Sequence, residues 1–373
     1  MKKILAAALA LALAASLTAC GGHANPGNGK STTGAAAGSA PAKVGVSLPD
    51  KSVQRWASDG SIIKAGLEKD GYTVDLQYAG KSDPGLQASQ IENMVSEGCK
   101  LLIVMSVDDG SLNAALGQAG KKGIQVIAYD HLIMNSDAVS YFCTFDNTQA
   151  GELMGSYIRD KLNLDYEAGP FNIEMFMGSP NDNNNNFYFG GAMDILQPYI
   201  DSGKLVILSG EQELPQCTTE NESAKIAQDR MEALISMEKY GPGKGDTKLD
   251  AILSSSDSVS RGITAALVGK GGYTKNDFPI LTGQGCELDS VRNMIGGLQS
   301  MSVLKDTRKL AQRAVLMAES ALKGQEPEIN DDTTYDNGTG LIPSYLEAPA
   351  VCTADNYKAM LVDTGYYAEG QLK

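Results

Sequence analysis

The 373-residue sequence has no run of basic residues, only two histidines and a single tryptophan. Its formal charge is −14, with 31 Lys and Arg against 45 Asp and Glu. A chain without a basic patch cannot neutralise phosphates and release their counterions, which argues against nucleic acid as a partner. The acidity suits a soluble domain and does not identify a ligand. One histidine, His23, lies in a Gly/Ala/Ser-rich stretch, so a Ser-His-Asp hydrolase or a His-rich metal site would rest on His131 alone. The six cysteines (Cys20, Cys99, Cys143, Cys217, Cys286 and Cys352) show no metal-ligand spacing. Cys99 and Cys143 sit in or beside apolar runs and read as small core residues; the spacing of the rest assigns no disulfide. Phosphate fingerprints are missing too. Val46-Ser47-Leu48-Pro49-Asp50-Lys51 follows no GxGxxG or GxxxxGK[ST] pattern, and Gly283-Gln284-Gly285-Cys286 is too short and lacks a third glycine. No cofactor is therefore expected.

One long apolar run is present, from Ile4 to Leu17, preceded by Lys2 and Lys3. A positive start followed by about a dozen apolar residues reads as a secretory signal over residues 1–19, too short for a permanent membrane helix. Leu17-Thr18-Ala19-Cys20 places small residues before a cysteine where cleavage falls. Cys20 then becomes the acylated first residue of a lipoprotein held at the outer face of the cell membrane. Removing Lys2 and Lys3 takes the mature charge from −14 to −16. Residues 20–42 are mostly Gly, Ala, Ser, Thr and Pro and read as a flexible tether. About 330 residues follow, more than one comfortable core, which suggests two lobes.

From Lys43 short apolar strands alternate with amphipathic helices. Strand-like runs are Val44–Leu48, Thr73–Tyr78, Leu101–Met105 and Gln125–Tyr129; helical patterns cover 52–69, 85–97 and 112–121. The alternation restarts after Asp146-Asn147, with helices over 148–162, 184–199, 222–237, 258–269 and 288–297. Its strands fall over 171–177, 204–208, 249–254, 279–282 and 301–304. The fold class is α/β: two doubly wound parallel-sheet lobes with a ligand site in the cleft facing the strands' carboxyl ends.

Several segments, in order, resemble the type I periplasmic sugar-binding proteins of ABC transporters, of the xylose-binding and multiple-sugar-receptor type. They are Gln54-Arg55-Trp56, Gln90-Ile91-Glu92-Asn93-Met94, Ile127-Ala128-Tyr129-Asp130, Thr144-Phe145-Asp146-Asn147, Gly178-Ser179-Pro180-Asn181-Asp182-Asn183-Asn184, Gly283-Gln284, Lys305-Asp306-Thr307-Arg308-Lys309-Leu310-Ala311 and Pro343-Ser344-Tyr345. The resemblance runs from about Lys43 to Leu372. It implies a periplasmic binding protein type I fold whose lobes are joined by three crossovers, expected near residues 146, 305 and 329. The N-lobe is then 43–145 plus 306–328 and the C-lobe 147–304 plus 330–373. The implied protein is a monomer that captures a monosaccharide, closes, and hands it to a membrane permease.

A sugar site needs planar bidentate groups for adjacent hydroxyls and a ring for the C–H face. The resemblance places Asp130 there, accepting from two hydroxyls; its other reading is a helix N-cap. Asn147 either binds ligand at the first crossover or caps helix 148–162. Of Asn183 and Asn184, one reaches the ligand and the other caps. Asp257 stands at a family sugar-binding position, Gln284 follows a strand, and Lys305 at the second crossover can donate to a sugar oxygen. Arg55 and Lys51 lie near the cleft, while Trp56 either stacks on the sugar or anchors its helix.

Three departures bear on the ligand. His131 stands where the family has Arg, Gly285 where it has an acidic residue, and Glu222 or a neighbour where the multiple-sugar receptor has Trp. His131 is retained as a ligand contact. No carboxylate pair or nucleophile–base arrangement supports an enzyme. A repressor sharing the two-lobe fold would need a DNA-binding helix pair in place of the signal. The remaining alternative is a sensory co-receptor presenting its closed lobes to a chemoreceptor or kinase.

Overall fold

The structure is a computed structural model that describes residues 41–372 apart from 109 and 181. The chain opens with β1 (Lys43–Leu48), α1 (Gln54–Lys69), β2 (Thr73–Tyr78), α2 (Pro84–Ser96), β3 (Leu101–Val104), α3 (Asn113–Lys121), β4 (Gln125–Tyr129) and β5 (Val139–Phe145). It continues with α4 (Asn147–Leu162), β6 (Phe171–Phe176), α5 (Asn184–Asp201), β7 (Leu205–Val206), α6 (Leu214–Cys217), α7 (Ala224–Glu238) and β8 (Ala251–Ser254). Then come α8 (Asp257–Gly269), β9 (Ile280–Leu281), α9 (Leu288–Gly296), β10 (Ser302–Leu304), α10 (Thr307–Leu322), β11 (Ser344–Glu347) and β12 (Ala350–Cys352).

The first lobe is a parallel sheet in the order β11-β5-β4-β3-β1-β2. Strands β1 and β3 are buried along nearly their whole length, because helices cover both faces. Ile63 and Leu67 of α1 and Leu310, Ala314 and Val315 of α10 close one face over Val44, Val46 and Ile103. Ile91 and Met94 of α2 and Leu116 of α3 close the other over Leu102, Val104 and Ala128. Each of the Val, Leu, Ile and Met side chains contributes about 1.5–3 kcal/mol on burial. The second lobe repeats this with β7-β6-β8-β9, and a single bridge from Gln284 to Val303 extends its edge to the antiparallel pair β10-β12.

Asp side chains cap the helices that leave two of the crossovers. Asp146 Oδ1 accepts from the Gln149 amide, and Asp306 Oδ1 accepts from the Arg308 amide. The chain meanwhile passes from β5 into the second lobe and from β10 back into the first. The third crossover differs from expectation. The resemblance implies a crossover near residue 329, with 330–347 in the C-lobe. In the structure β11 pairs in parallel with β5, and Tyr335 and Ile342 sit in the first lobe's core, so the chain crosses only after Glu347. The physical reason is that 330–343 is a turn-rich, aperiodic segment. Its lobe is set by edge pairing and two buried side chains and not by a repeating apolar pattern. Strand β5 was likewise not anticipated.

Candidate functional site

Asp130 ends β4 with φ of +63°, a left-handed conformation that Asp tolerates better than most residues. The turn is fixed by its own amide donating to the Cys143 carbonyl (2.8 Å) and by Thr144 Oγ1 donating to its carbonyl (3.1 Å). Its side chain is therefore aimed out of the sheet end and accepts from Arg55 Nη2 at 2.6 Å while being only 2% exposed. Among the described residues, Asp130 Oδ1 and Arg55 Nε are buried without any hydrogen-bond partner; Nε lies 3.8 Å from Asp59 Oδ2 as an ion pair. Burial alone would raise the Asp130 carboxyl, but the charges of Arg55, Lys305 and His131 outweigh it and hold it at about 2. The same carboxylates of Asp130 and Asp59 overcome the cost of burial for Arg55 and raise its pKa.

His131 turns beside Asp130, with Nδ1 3.2 Å from the Ser106 carbonyl and Nε2 3.9 Å from Asp130 Oδ2. Ser106 is fully buried at the carboxyl end of β3, and among the described residues its Oγ has no partner.

From the other lobe, Asn184 at the start of α5 reaches the Asp130 carbonyl with Nδ2 at 3.5 Å. Asn184 Oδ1 accepts from Asn147 Nδ2 at 2.9 Å, and both amides are buried. Lys305, at the second crossover, donates to Tyr188 Oη at 2.6 Å and to Asn147 Oδ1 at 3.4 Å. Its ammonium also lies 5.2 Å from the Phe145 ring centroid and 5.1 Å from that of Tyr188. Burial and Arg55 lower the Lys305 pKa, opposed by Asp130, Asp182 and Glu222. Glu222, another residue with positive φ, accepts from Ser256 Oγ at 2.9 Å; burial raises its pKa, and the nearby Asp182 adds to this. The structure thus brings Arg55, Asp130, His131, Asn147, Asn184 and Lys305 into one polar cluster where the lobes meet.

Other expected residues are placed differently. Asp257 is fully buried, and its carboxylate accepts from Gln299 Nε2, the Glu287 amide and Ser302 Oγ, all within its own lobe. Burial raises its pKa to about 6 against those hydrogen bonds. Gln284 is tied to this network through its carbonyl, which accepts from the Asp257 amide at 3.0 Å, while Oε1 has no partner among the described residues. Trp56 packs against the first lobe's core beside α10, which fits the anchoring reading. Lys51 is exposed. Asn183 Oδ1 accepts from Asn186 Nδ2 at 2.9 Å, so it braces the start of α5. Tyr188 and Ser106 are not among the expected residues. Tyr188 lies one turn after Asn184 on α5, a spacing that puts both on one face, and Ser106 follows β3 as Asp130 follows β4. A separate hollow of about 530 Å³, lined by Asp146, Gln149, Asn330, Asp331 and Leu346 among others, lies beside the crossovers and touches none of the cluster residues.

The architecture is that of a two-lobe binding protein whose polar residues converge between the lobes. A family model described as a periplasmic binding protein domain matches residues 44–326. The chain belongs to that family, among the type I periplasmic sugar-binding proteins of ABC transporters: extracytoplasmic binding proteins and not enzymes. It is 45% identical over 88% of its length to the multiple sugar-binding periplasmic receptor ChvE of Rhizobium radiobacter, 92% of which is covered. The D-xylose-binding periplasmic protein of Escherichia coli is 31% identical over 91% of this chain and 95% of its own. Among solved structures, an ABC transporter solute-binding protein from Clostridium phytofermentans with bound β-D-glucose is 52% identical, with a TM-score of 0.81, covering 89% of this chain and all of the other.

Proposed function

We propose that this chain is the substrate-binding lipoprotein of a sugar ABC transporter. It takes a monosaccharide of the pentose or hexose class between its lobes and delivers it to a membrane permease. D-Glucose is the first candidate, because the 52% identical protein from Clostridium phytofermentans carries β-D-glucose in its crystal structure; D-xylose is second. The observation that carries the reading is that the ion-paired Asp130 and Arg55 each keep a buried polar atom, Asp130 Oδ1 and Arg55 Nε, without a hydrogen-bond partner among the described residues.

Adjacent sugar hydroxyls present a donor and an acceptor side by side, which these two atoms complement. Lys305 spends two of its three protons on Tyr188 and Asn147, leaving one for a ligand oxygen. Sugar held by Asp130 and Arg55 from the first lobe and by Lys305 and Asn184 at the second favours the closed arrangement over an open one. Closure then creates a composite surface for the permease. The acylated Cys20, outside the described residues, would keep the protein at the membrane.

A thermal-shift titration of residues 36–373 tests the ligand class. A sugar binding the folded state alone stabilises it by about 2.7 kcal/mol at a hundred times its Kd. D-Glucose or D-xylose should raise the melting temperature with concentration. A flat response to both, with a rise for a polyol or nucleoside, would remove the pentose/hexose assignment.

A further inference from the structure

The described chain holds five free, buried cysteines. Cys99, Cys143 and Cys217 belong to three different core clusters, but Cys286 and Cys352 share one, with Val291, Met294, Leu304 and Leu361. Cys286 lies on the loop after β9, in a left-handed turn with φ of +50° that lifts it over β10. Its amide donates to Ser302 Oγ at 3.0 Å, and its Sγ lies 3.7 Å from the Ser302 carbonyl. Ser302 is in turn the register partner of Cys352 in the antiparallel β10-β12 pair. Both cysteines therefore converge on one residue of β10, inside one small core cluster.

We propose that Cys286 and Cys352 form a disulfide in the mature, extracytoplasmic protein, tying the Gln284–Glu287 loop to the strand that follows the third crossover. The compartment supports it, since thiols outside the cytoplasmic membrane meet disulfide-bearing oxidants. One thiolate attacks a sulfur of such an oxidant, a protein or small-molecule disulfide, and displaces a thiolate. The second cysteine attacks the mixed disulfide and releases the other half. The two cysteine thiols together lose two protons and two electrons, and the oxidant becomes two thiols. Burial raises the Cys286 pKa well above the ordinary thiol value, with the Cys352 side chain adding to this, so the thiolate is scarce in the finished lobe. Formation thus belongs to the folding chain, before the core around Val291 and Leu361 closes. The bond would fix the loop whose Glu287 amide and Gln284 carbonyl hold Asp257.

The test is cysteine mapping of the full chain, refolded from denaturant in a buffer of reduced and oxidised glutathione, then denatured without reductant, alkylated and digested. The expected result is a linked peptide pair containing Cys286 and Cys352, two hydrogens lighter than the sum of its reduced parts, with Cys99, Cys143 and Cys217 alkylated. Reduction should lower the melting temperature of the wild-type chain by several degrees and leave that of Cys352→Ser unchanged. Alkylation of both Cys286 and Cys352, or glutathione captured separately on each, would overturn the proposal.

Discussion

Asp130 keeps its charge inside the protein because Arg55 and Lys305 face it, and this determines what its loss does. Asp130→Ala leaves the half-buried Arg55 without its 2.6 Å partner and removes the acceptor for ligand hydroxyls. Hydrogen bonds to charged groups contribute about 1.5–3 kcal/mol each, so sugar binding should weaken by at least about a hundredfold in calorimetric titration. An affinity within threefold of wild type would remove Asp130 from the site. Asp59 and Asp257 behave in the opposite way. Burial raises both to about 6, although Arg55, Thr307 and Tyr129 oppose it at Asp59 and the Gln299, Glu287 and Ser302 hydrogen bonds at Asp257. A raised carboxyl is more protonated in the folded than in the unfolded chain between about pH 4 and 6. Its stabilisation is present below its unfolded value and lost as pH rises through 6, by roughly 3 kcal/mol for each group. Asp130, held at about 2, loses its contribution only as the pH falls toward that value. The denaturation midpoint should therefore fall between pH 4 and pH 6.5, with Asp257→Asn flattening the slope; a midpoint that climbs over this range contradicts the assignment. Sequence alone marked Asp130 and Asp257 alike, as polar residues after buried strands. It carried no sign that one is left with a spare oxygen while the other is saturated by its own lobe, because those partners come from segments up to 45 residues away.

At the element scale, the site depends on how closely α4 and α5 pack. A Cβ at Gly191 would lie 2.1 Å from the Thr148 carbonyl, and one at Gly151 would lie 2.1 Å from that of Tyr188. Gly191→Ala must push the two helices apart, and they carry Asn147, Asn184 and Tyr188 between them. We expect a loss of about 1–3 kcal/mol in urea unfolding and weaker sugar binding, with Gly190→Ala, whose Cβ meets nothing, as the control. Equal stability and affinity for both variants would show that the helix pair does not position the cluster. The elements themselves were largely legible: the expected helices over 148–162 and 258–269 form as Asn147–Leu162 and Asp257–Gly269. Buried parallel strands are near-continuous apolar runs, and the helices between them keep a 3.6-residue apolar stripe. Strand β5 interrupts its apolar residues with Ser140 and Thr144, and β11 and β12 are four and three residues long, too short for a period to register.

At the scale of the whole molecule, anchoring and binding are separable. Cys20→Ser should move the protein from the membrane fraction to the soluble fraction and leave its affinity for D-glucose unchanged; retention at the membrane would argue against a lipid anchor at Cys20. The sequence by itself determined two α/β lobes, the absence of phosphate and metal motifs, and the family, because burial periodicity and the order of short motifs are properties of the chain. Tertiary structure alone decided that residues 330–347 return to the first lobe, that Lys305 meets Tyr188 and Asn147, and that Cys286 and Cys352 share one core cluster. Each depends on contacts between segments distant in the chain, where edge pairing and side-chain orientation leave no local periodic signal.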